Sequence, residues 1–562
     1  MKFEEYPYVK PNLKAITKKY QGFIEALKNA QDAKAALRVF FKLEKYENKI
    51  QTEFNTIHVR YTLNVNDELY QKANEMVDEI GPQLGEYTNE FNKTLLELPF
   101  RAALEKKLTP YYFKQLEANL KTFKPEIVPD LIEENKLTSE YDLLVGSAKI
   151  EFRGQKYNLS QLGKFTQDKD RETRKAASLA SASFFSENET KFLDLYDALV
   201  HVRTRMAKTL GFDSFIELAY LRLGRLDYSK NEVKGYREQI KHDVVPLVKR
   251  LVTEQSKRIG IKKMKYYDLN LNYLDGNPVP VGGEAVLVAK AKAMYHDMSL
   301  ESGTFFDFLM DHHLMDLSAR EGKRPGGYMT YFPLYHAPFI FSNFNGTSGD
   351  VDVLTHEFGH AFQAYLADHA IKIAALRSPT LEVCEMHSMA MEFLTHKYME
   401  EFFAKDNNKY LHSHVEDAIR FLPYGALVDE FQHEVFENPA MDKDARMTLW
   451  RTLEKEYLPF KDFDGVDYLE RGGFWFKQSH IFSVPFYYID YTIAQVVAFQ
   501  LFNESRDNFD RAWAKYLHLC RLGGRFPMQE LLKKAKLKSP FIAGNVKKAI
   551  KPLMTYLQEI KL

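Results

Sequence analysis

The chain has 562 residues, enough for several domains or for one large enzyme. Its 77 Lys and Arg balance its 77 Asp and Glu, so no net charge draws the protein towards nucleic acid or an anionic membrane. With only Cys384 and Cys520, the composition excludes a disulfide-rich secreted scaffold and favours a reducing compartment.

The amino-terminal part of the chain is predicted to be helical. Over residues 13–55, apolar residues recur every three or four positions among charged ones, which is the period of an amphipathic helix. Residues 148–159 alternate around an Arg-Gly pair and predict a small hairpin. Further helical patterns lie near 68–135, 168–212 and 230–260.

Neither secretion nor membrane insertion is expected. The first residues, MKFEEYPYVKPNL, carry acidic side chains and a proline where a signal peptide needs an apolar core. No later apolar run approaches the ~20 residues of a membrane-spanning helix. We therefore predict a soluble, cytoplasmic protein with no membrane or nucleic-acid partner.

Two stretches in the middle of the chain carry strand signals. Residues 263–278 have the pattern of a strand that ends in a turn, and residues 326–350 are rich in aromatic, β-branched and turn-forming residues. From residue 351 the helical pattern returns and continues almost to the end. The prediction is a mainly α fold with a small β-sheet, divided into regions 1–190 and 191–562.

The stretch DVLTHEFGHAFQAYL carries the strongest chemical signal. His356 and His360 are four residues apart and therefore stack on one face of a helix. Two imidazoles so placed can hold one Zn²⁺, and Glu357 leaves a carboxylate beside the open position of the metal. Asp352 lies one turn before His356, where it can orient that ring or oppose the helix dipole.

A histidine pair alone can also be two ordinary hydrogen-bonded helix residues. For the histidines of two other patterns in the chain, that simpler interpretation is the one we adopt. In QHEVFE, Glu437 occupies the position of the second histidine, so His433 is interpreted as structural. His412 and His414 are two residues apart and point to different sides of a helix.

A catalytic zinc usually has three protein ligands and an open position for water. A third histidine six residues after the second is excluded, because Gln363 and Leu366 occupy the positions that the extended motif needs. The predicted helix SPTLEVCEMHSMAMEFLTHKYMEEF instead offers Glu382, Glu385 and Glu392 on one broad face. Its spacing alone leaves the choice between Glu382 and Glu385 open.

The stretch QSHIFSVPFYYIDY, near the carboxyl end, groups His480 with Tyr487, Tyr488 and Tyr491. Hydrolysis of a peptide bond builds negative charge on the carbonyl oxygen, and hydroxyl or imidazole donors aimed at that oxygen lower the barrier. Tyr488 and Tyr491 are three residues apart and share a helix face. Because the chain has 33 Tyr, an ordinary aromatic core is the alternative.

Taken together, these motifs resemble those of the oligoendopeptidase F and thimet oligopeptidase group of zinc metallopeptidases, and more closely the former. The resemblance is specific over about 319–491 and general elsewhere. It rests on HEFGHA (356–361), EMHS (385–388), AREGKRPGGY (319–328), LPYGALVDEFQHEVFENP (422–439) and SHIFSVPFYYIDY (479–491).

The resemblance implies roles for individual residues. In this family the third ligand follows the second histidine by 25 residues, which selects Glu385. It also implies a mostly helical fold of two halves around a deep cleft, which region 1–190 covers and which admits short peptides but not folded proteins. It assigns catalysis to His480, Tyr488 and Tyr491, and substrate binding to Tyr487 and His480.

The predicted function is that of a zinc-dependent oligoendopeptidase, with one Zn²⁺ per chain, that cleaves internal bonds of short peptides. Zn²⁺ held by His356, His360 and Glu385 lowers the pKa of its water, and Glu357 transfers the proton to the leaving amine. An extended peptide can pair with a strand edge within 326–345.

Two other functions fit parts of the sequence. A zinc carboxypeptidase or dipeptide-releasing enzyme needs a cation for the terminal carboxylate of its substrate. A peptide-binding protein with an idle metal site has no need of a base at Glu357. Cleavage preference, oligomeric state and native metal are left open. The candidate cations for the first alternative are Arg320, Lys323, Arg324, Arg521 and Arg525.

Overall fold

Helices dominate the fold, as predicted. The computed structural model describes all residues, 1–562. The helices of the first half, α1 to α12, span Leu13–Lys28, Ala33–Leu63, Glu68–Glu97, Arg101–Leu108, Pro110–Lys121, Val128–Gly146, Leu159–Gly163, Arg171–Glu187, Glu189–Leu210, Phe215–Arg222, Lys230–Gln239 and Val245–Arg258.

The second half contains the helices that carry the histidine pair and the aromatic stretch. None of the helices is both long and apolar enough to span a lipid bilayer. Helices α13 to α25 span Glu284–Met298, Leu300–Asp311, Gly349–Ala370, Leu381–Leu394, Met399–Phe403, Asn407–Glu437, Lys443–Tyr457, Asp467–Glu470, Ser479–Ser483, Tyr488–Asp507, Phe509–Leu522, Met528–Lys534 and Asn545–Glu559.

Two small sheets interrupt the helices. Strands β1 (Ile150–Phe152) and β2 (Gln155–Tyr157) form the predicted antiparallel hairpin. Strands β3 (Met315–Ser318), β4 (Tyr328–Phe332) and β5 (Ala337–Phe344) form a sheet in the order β3-β5-β4. β5 is therefore central, parallel to β3 and antiparallel to β4, which leaves β4 at an edge.

The predicted strand at 263–278 is wrong. This segment forms only a short 3₁₀ turn, Tyr266–Asp268, followed by irregular structure. The Asp268 carboxylate is fully buried and accepts hydrogen bonds from Arg171 and Arg174. The segment is rich in aromatic residues because several of its side chains are buried individually. No neighbouring strand pairs with it.

The molecule has two main hydrophobic cores and a third cluster of four buried residues at the β1/β2 hairpin. A small core joins α1 to α5 and includes Ala367 and Ile371 at the carboxyl end of α15, so the amino-terminal helices pack onto the helix of the histidine pair. A much larger core of 108 buried residues lies mainly in the remainder of the chain. The predicted boundary near residue 190 lies at the start of α9 and stays a prediction.

Close helix packing positions the histidine pair. α16 packs against both α15 and α22. A methyl group at Gly359 would lie 2.7 Å from the carbonyl oxygen of His387 and from Cα of Ser388, too close for any side chain. The glycine of HEFGH therefore lets α16 approach α15 until their side chains meet.

Candidate active site

Three predicted ligands converge between α15 and α16. The Nε2 atoms of His356 and His360 lie 3.3 Å and 3.5 Å from the same oxygen, Oε2 of Glu385. The candidate ligand atoms of the three residues all lie within 4.8 Å of one another. Glu382, the other candidate, is directed elsewhere and accepts a hydrogen bond from Thr380 Oγ1 at 2.7 Å.

The electrostatics of this group suit a bound cation. Burial raises the pKa of Glu385, but the neighbouring His360 and His356 outweigh this and hold it well below the usual range. Burial lowers the pKa of His356, but Glu385 and Glu392 outweigh it and raise that pKa well above its usual value. Two imidazoles and one carboxylate are the donor set of many catalytic zinc sites, so the residues fit that metal.

A carboxylate on α16 fixes the orientation of the first imidazole. Glu392 Oε1 lies 2.6 Å from His356 Nδ1, which leaves Nε2 directed towards Glu385. The other oxygen of Glu392 lies 3.0 Å from His414 Nε2, and His414 Nδ1 lies 2.9 Å from His396 Nε2. The sequence placed Glu392 on this face, but no local pattern indicates the contact with His414.

Asp352 does not contact the His356 ring, although orienting that ring is one of the two roles that its sequence position suggested. Its carboxylate accepts a hydrogen bond from Tyr410 Oη at 2.6 Å. Burial raises the pKa of Asp352 to about 6. The orienting contact is made by Glu392 instead, because a residue on the facing helix α16 reaches the outer nitrogen of His356.

Glu357 is a buried carboxylate with an unsatisfied oxygen. Its Oε2 atom has no hydrogen-bond partner, and the residue is only 6% exposed. Burial raises its pKa. A Cβ at Gly327 would lie 3.5 Å from Glu357 Oε1, so the start of β4 lies directly beside this carboxylate. An unpaired buried carboxylate is costly, and such groups occur at sites that handle protons.

The aromatic stretch forms the opposite wall of the site. Tyr487 Oη donates to Glu385 Oε1, and His480 Nε2 lies 3.3 Å from Tyr491 Oη. The rings of Tyr487 and Tyr491 are 4.9 Å apart. Burial lowers the pKa of His480 to about 4, so its imidazole is neutral near pH 7. The Tyr488 ring lies 4.9 Å from the His480 ring.

A strained turn carries these side chains into the site. Phe486, directly before Tyr487, has a φ of +66°, which is unfavourable for an aromatic residue. Its N–H donates to Gln432 Oε1 at 3.0 Å, and its carbonyl accepts from Arg225 Nη2 at 2.7 Å. Arg225 Nη2 also binds Asp490 Oδ1 at 2.6 Å. No sequence pattern indicated Gln432 or Arg225.

Most of the cations suggested for capture of a terminal carboxylate are already paired. Arg320 Nη1 and Lys323 Nζ each lie 2.6 Å from Asp316 Oδ1. Arg521 Nη2 lies 3.0 Å from Glu301 Oε1. These contacts give no support to a carboxypeptidase site built from those residues.

Comparison with protein families identifies the chain. The family model described as peptidase family M3 matches residues 164–279 and 286–549, and that of the peptidase M3 N-terminal domain matches residues 3–123. The chain belongs to peptidase family M3. The predicted enzyme class, a metallopeptidase, agrees with this membership.

Solved structures similar to this M3 chain confirm the predicted fold. PZ peptidase A, solved with an inhibitor, is 46% identical over the whole of both chains, with a TM-score of 0.97. A proposed oligoendopeptidase F from Bacillus anthracis strain Ames is 42% identical over 100% of this chain and 99% of that one, with a TM-score of 0.91.

A curated relative supports the same family placement. Chromosomal oligoendopeptidase F from Lactococcus lactis subsp. cremoris is 24% identical over 325 residues, which cover 54% of this chain and 49% of the relative. The chain thus spans about half the length of that relative. The predicted family resemblance is confirmed.

Proposed function

We propose that this M3 protein is a zinc-dependent oligoendopeptidase that hydrolyses internal bonds of short peptides. The observation that carries the proposal is the convergence of the His356 and His360 imidazoles with the Glu385 carboxylate, next to Glu357, whose buried Oε2 atom has no hydrogen-bond partner. The two free cysteines support a reducing compartment such as the cytoplasm.

His356, His360 and Glu385 would hold one zinc ion. When bound, zinc supplies Lewis acidity and lowers the pKa of a water ligand towards neutrality. Glu392 holds His356 Nδ1 and so presents Nε2 to the site. Tyr487 holds the second oxygen of Glu385, which leaves Oε2 beside the two imidazoles.

Glu357 is the proposed general base and acid. Its carboxylate accepts a proton from the attacking water and then delivers it to the leaving nitrogen of the peptide. Its dry surroundings raise its pKa, which brings the protonated form within reach at each turnover. No neighbouring hydrogen bond competes for Oε2.

The aromatic wall supplies donors for the carbonyl oxygen of the substrate. We assign this role to Tyr491 and to neutral His480, whose Nδ1 lies 2.9 Å from the side-chain amide of Gln478. That contact leaves Nε2 as the hydrogen-bearing nitrogen, next to Tyr491 Oη. Tyr487 binds substrate along the same wall. Tyr488, to which the resemblance assigns catalysis, packs against the His480 ring, and we assign it to substrate binding instead.

The edge strand β4 supports backbone pairing with the substrate. In an antiparallel pair, every second residue directs its N–H and C=O away from the neighbouring strand. Since Pro338 has no N–H, its partner Tyr331 belongs to this set, and so does Met329, two residues earlier. Asn55 Nδ2 donates to Tyr331 O at 2.7 Å, in keeping with this direction. The N–H and C=O of Met329 are then available to an extended peptide.

One experiment tests the function directly. Short peptides blocked at both ends are incubated with the zinc-loaded protein, with chelator-treated protein and with Glu357→Gln, and the products are identified by mass spectrometry. We expect internal cuts with the zinc-loaded protein only. Survival of the blocked peptides, together with cleavage of the same peptides bearing free carboxyl ends, would favour the carboxypeptidase alternative.

The proposed backbone pairing has its own test. Met329→Pro removes one N–H at the edge and should raise KM several-fold, whereas Met329→Ala removes the side chain but keeps the N–H and serves as the control. Equal KM values for the two variants would contradict pairing along β4.

A further inference from the structure

Helix α18 connects the two sides of the site. Its residue His414 contacts Glu392, which holds His356 Nδ1. Two turns further along α18, the ring of Phe421 lies 5.6 Å from the ring of Tyr488 in the aromatic wall. One face of α18 therefore runs from the proposed zinc ligands to the aromatic wall.

Asp417 lies between these two contacts, three residues after His414 and four before Phe421. Residues so spaced share a face of a helix, and each step is roughly 5 to 6 Å along its axis. Burial lowers the pKa of His414, but the carboxylates of Glu392, Asp352 and Asp417 outweigh it and raise that pKa. The carboxylate of Asp417 therefore faces the space between the two sides of the site.

This carboxylate has only loose partners. Its Oδ2 atom accepts a hydrogen bond from Asn272 Nδ2 at 3.3 Å. Arg420 Nη1 lies 3.7 Å from Oδ1, too far for a hydrogen bond, and is equally close to Glu416 Oε1, at 3.6 Å. Glu416 has a much closer cation, because its Oε2 lies 2.9 Å from Arg258 Nη2. Oδ1 of Asp417 is thus left without a hydrogen-bond donor.

The surroundings of Asp417 leave room for a ligand. Its side chain is 56% exposed, yet burial raises its pKa. Protein therefore surrounds the carboxylate on several sides without covering it. Asp417 lines a solvent-filled recess rather than an open surface, and Oδ1 is accessible from that recess.

We propose that Asp417 binds a cationic group of the peptide substrate, an ammonium or a guanidinium, in the recess between the zinc ligands and the aromatic wall. The inference rests on the proposed peptidase function. A carboxylate forms a stronger hydrogen bond with a charged donor than with a neutral one. A lysine or arginine side chain near the scissile bond supplies such a donor, and so does a free amino end. The recess thus selects peptides that carry a positive charge close to the cut.

The test compares short peptides that carry either lysine or its uncharged analogue norleucine at one position, which is moved along a peptide blocked at both ends. With the zinc-loaded wild type we expect kcat/KM about fivefold higher for lysine at one fixed position relative to the cut, mainly through KM, as for a partly solvated ion pair. A second pair of peptides has the amino end free or acetylated and shows whether that end supplies the cation. A preference for either cation supports the proposal, whereas ratios of one for both sources overturn it.

Substitutions of Asp417 assign the preference to this residue. Asp417→Asn keeps the shape of the side chain but removes the charge, so the ratio of charged to neutral peptide should fall towards one. Asp417→Glu should largely retain the ratio. Asp213→Asn is the matched control, because Asp213 is also exposed and forms no ion pair, and it should keep the wild-type ratio. A wild-type ratio in Asp417→Asn would contradict the proposal.

Binding separates this proposal from the proposed function. Calorimetry with zinc-loaded Glu357→Gln compares the charged and neutral peptides without turnover, with and without the additional Asp417→Asn. If the wild type cleaves no peptide, the peptidase function fails, and the binding preference still decides the role of Asp417. If charged and neutral peptides are cut equally and bound equally, the cation site fails while the peptidase function stands.

Discussion

The two walls of the site are built in different ways. The α15/α16 wall consists of two regular helices, and spacing along α15 alone groups His356, Glu357 and His360, with Gly359 allowing the close contact. The aromatic wall begins at a strained turn that distant residues hold in place, namely Gln432 on α18 and Arg225 after α10. The first wall is therefore specified locally, whereas the second depends on the completed fold.

The largest expected effect lies on the helical wall. Glu357→Gln keeps the shape of the side chain but removes the base, so kcat should fall by about 10³ to 10⁴, near the upper end for loss of proton transfer. Zinc content, measured by mass spectrometry of the metal, should stay near one per chain. Near-normal turnover with zinc bound would contradict the assignment of Glu357.

The next effect distinguishes the aromatic wall from the metal site. Tyr491→Phe removes one hydroxyl donor and should lower kcat by about 10²-fold with little change in KM, as for other oxyanion donors. Tyr488→Phe is a useful comparison, because its ring packs against Tyr424 and its loss of a hydroxyl leaves that packing intact. Steady-state kinetics on one peptide compares the two, and a drop in kcat for Tyr488→Phe alone would exchange their proposed roles.

The contrast between the walls explains what the sequence could predict. His356, His360 and Glu357 lie within one helical turn, so a period of 3.6 residues is enough to group them. Glu385 required a resemblance to a known family, because Glu382 lies on the same face and only the folded chain directs it away. The contact of Glu392 with His414 joins α16 to α18, and no periodic pattern in the sequence indicates it.

The fold shows the same division. Long amphipathic helices such as α2 are visible in the apolar period, whereas residues 263–278 were misread as a strand. Their aromatic residues Tyr267 and Tyr273 are buried, and the carboxylate of Asp268 binds Arg171 and Arg174 on another helix. A segment that is buried by such non-local contacts has the composition of a strand but no neighbouring strand to pair with.

A smaller effect is expected for the residue that orients the first ligand. Glu392→Gln weakens the contact with His356 Nδ1 and should lower zinc affinity by about 10- to 100-fold. Competition with a metal indicator measures this. Asp352→Asn serves as the control, because Asp352 binds Tyr410 and makes no contact with the ring. Equal zinc affinity in both variants would show that Glu392 does not position His356.

A substitution in the turn of the aromatic wall should lower kcat without changing zinc affinity, whereas Glu392→Gln lowers zinc affinity. Gln432→Ala leaves the Phe486 N–H buried without an acceptor, at a cost of about 1 to 3 kcal/mol in the free energy of unfolding. We expect kcat to fall several-fold while zinc affinity is unchanged. Urea denaturation, kinetics and metal competition measure the three quantities. A loss of zinc affinity would mean that the turn also acts on the metal site, through the contact of Tyr487 with Glu385.

The smallest expected effect is on pH dependence, and it tests the charge state of the aromatic wall. With a pKa near 4, His480 is neutral in the folded protein across the neutral range, so His480→Gln should reduce kcat/KM by the same factor at about pH 6 and pH 8. Since the folded pKa lies below the unfolded value of about 6.5, this residue costs stability as the pH falls from about 6.5 towards 4. The variant should therefore lose less free energy of unfolding than the wild type between pH 7 and pH 5. A shift of the acid limb of the rate profile in the variant would instead mean that His480 carries a proton during turnover, and the donor to the substrate oxygen would then be an imidazolium.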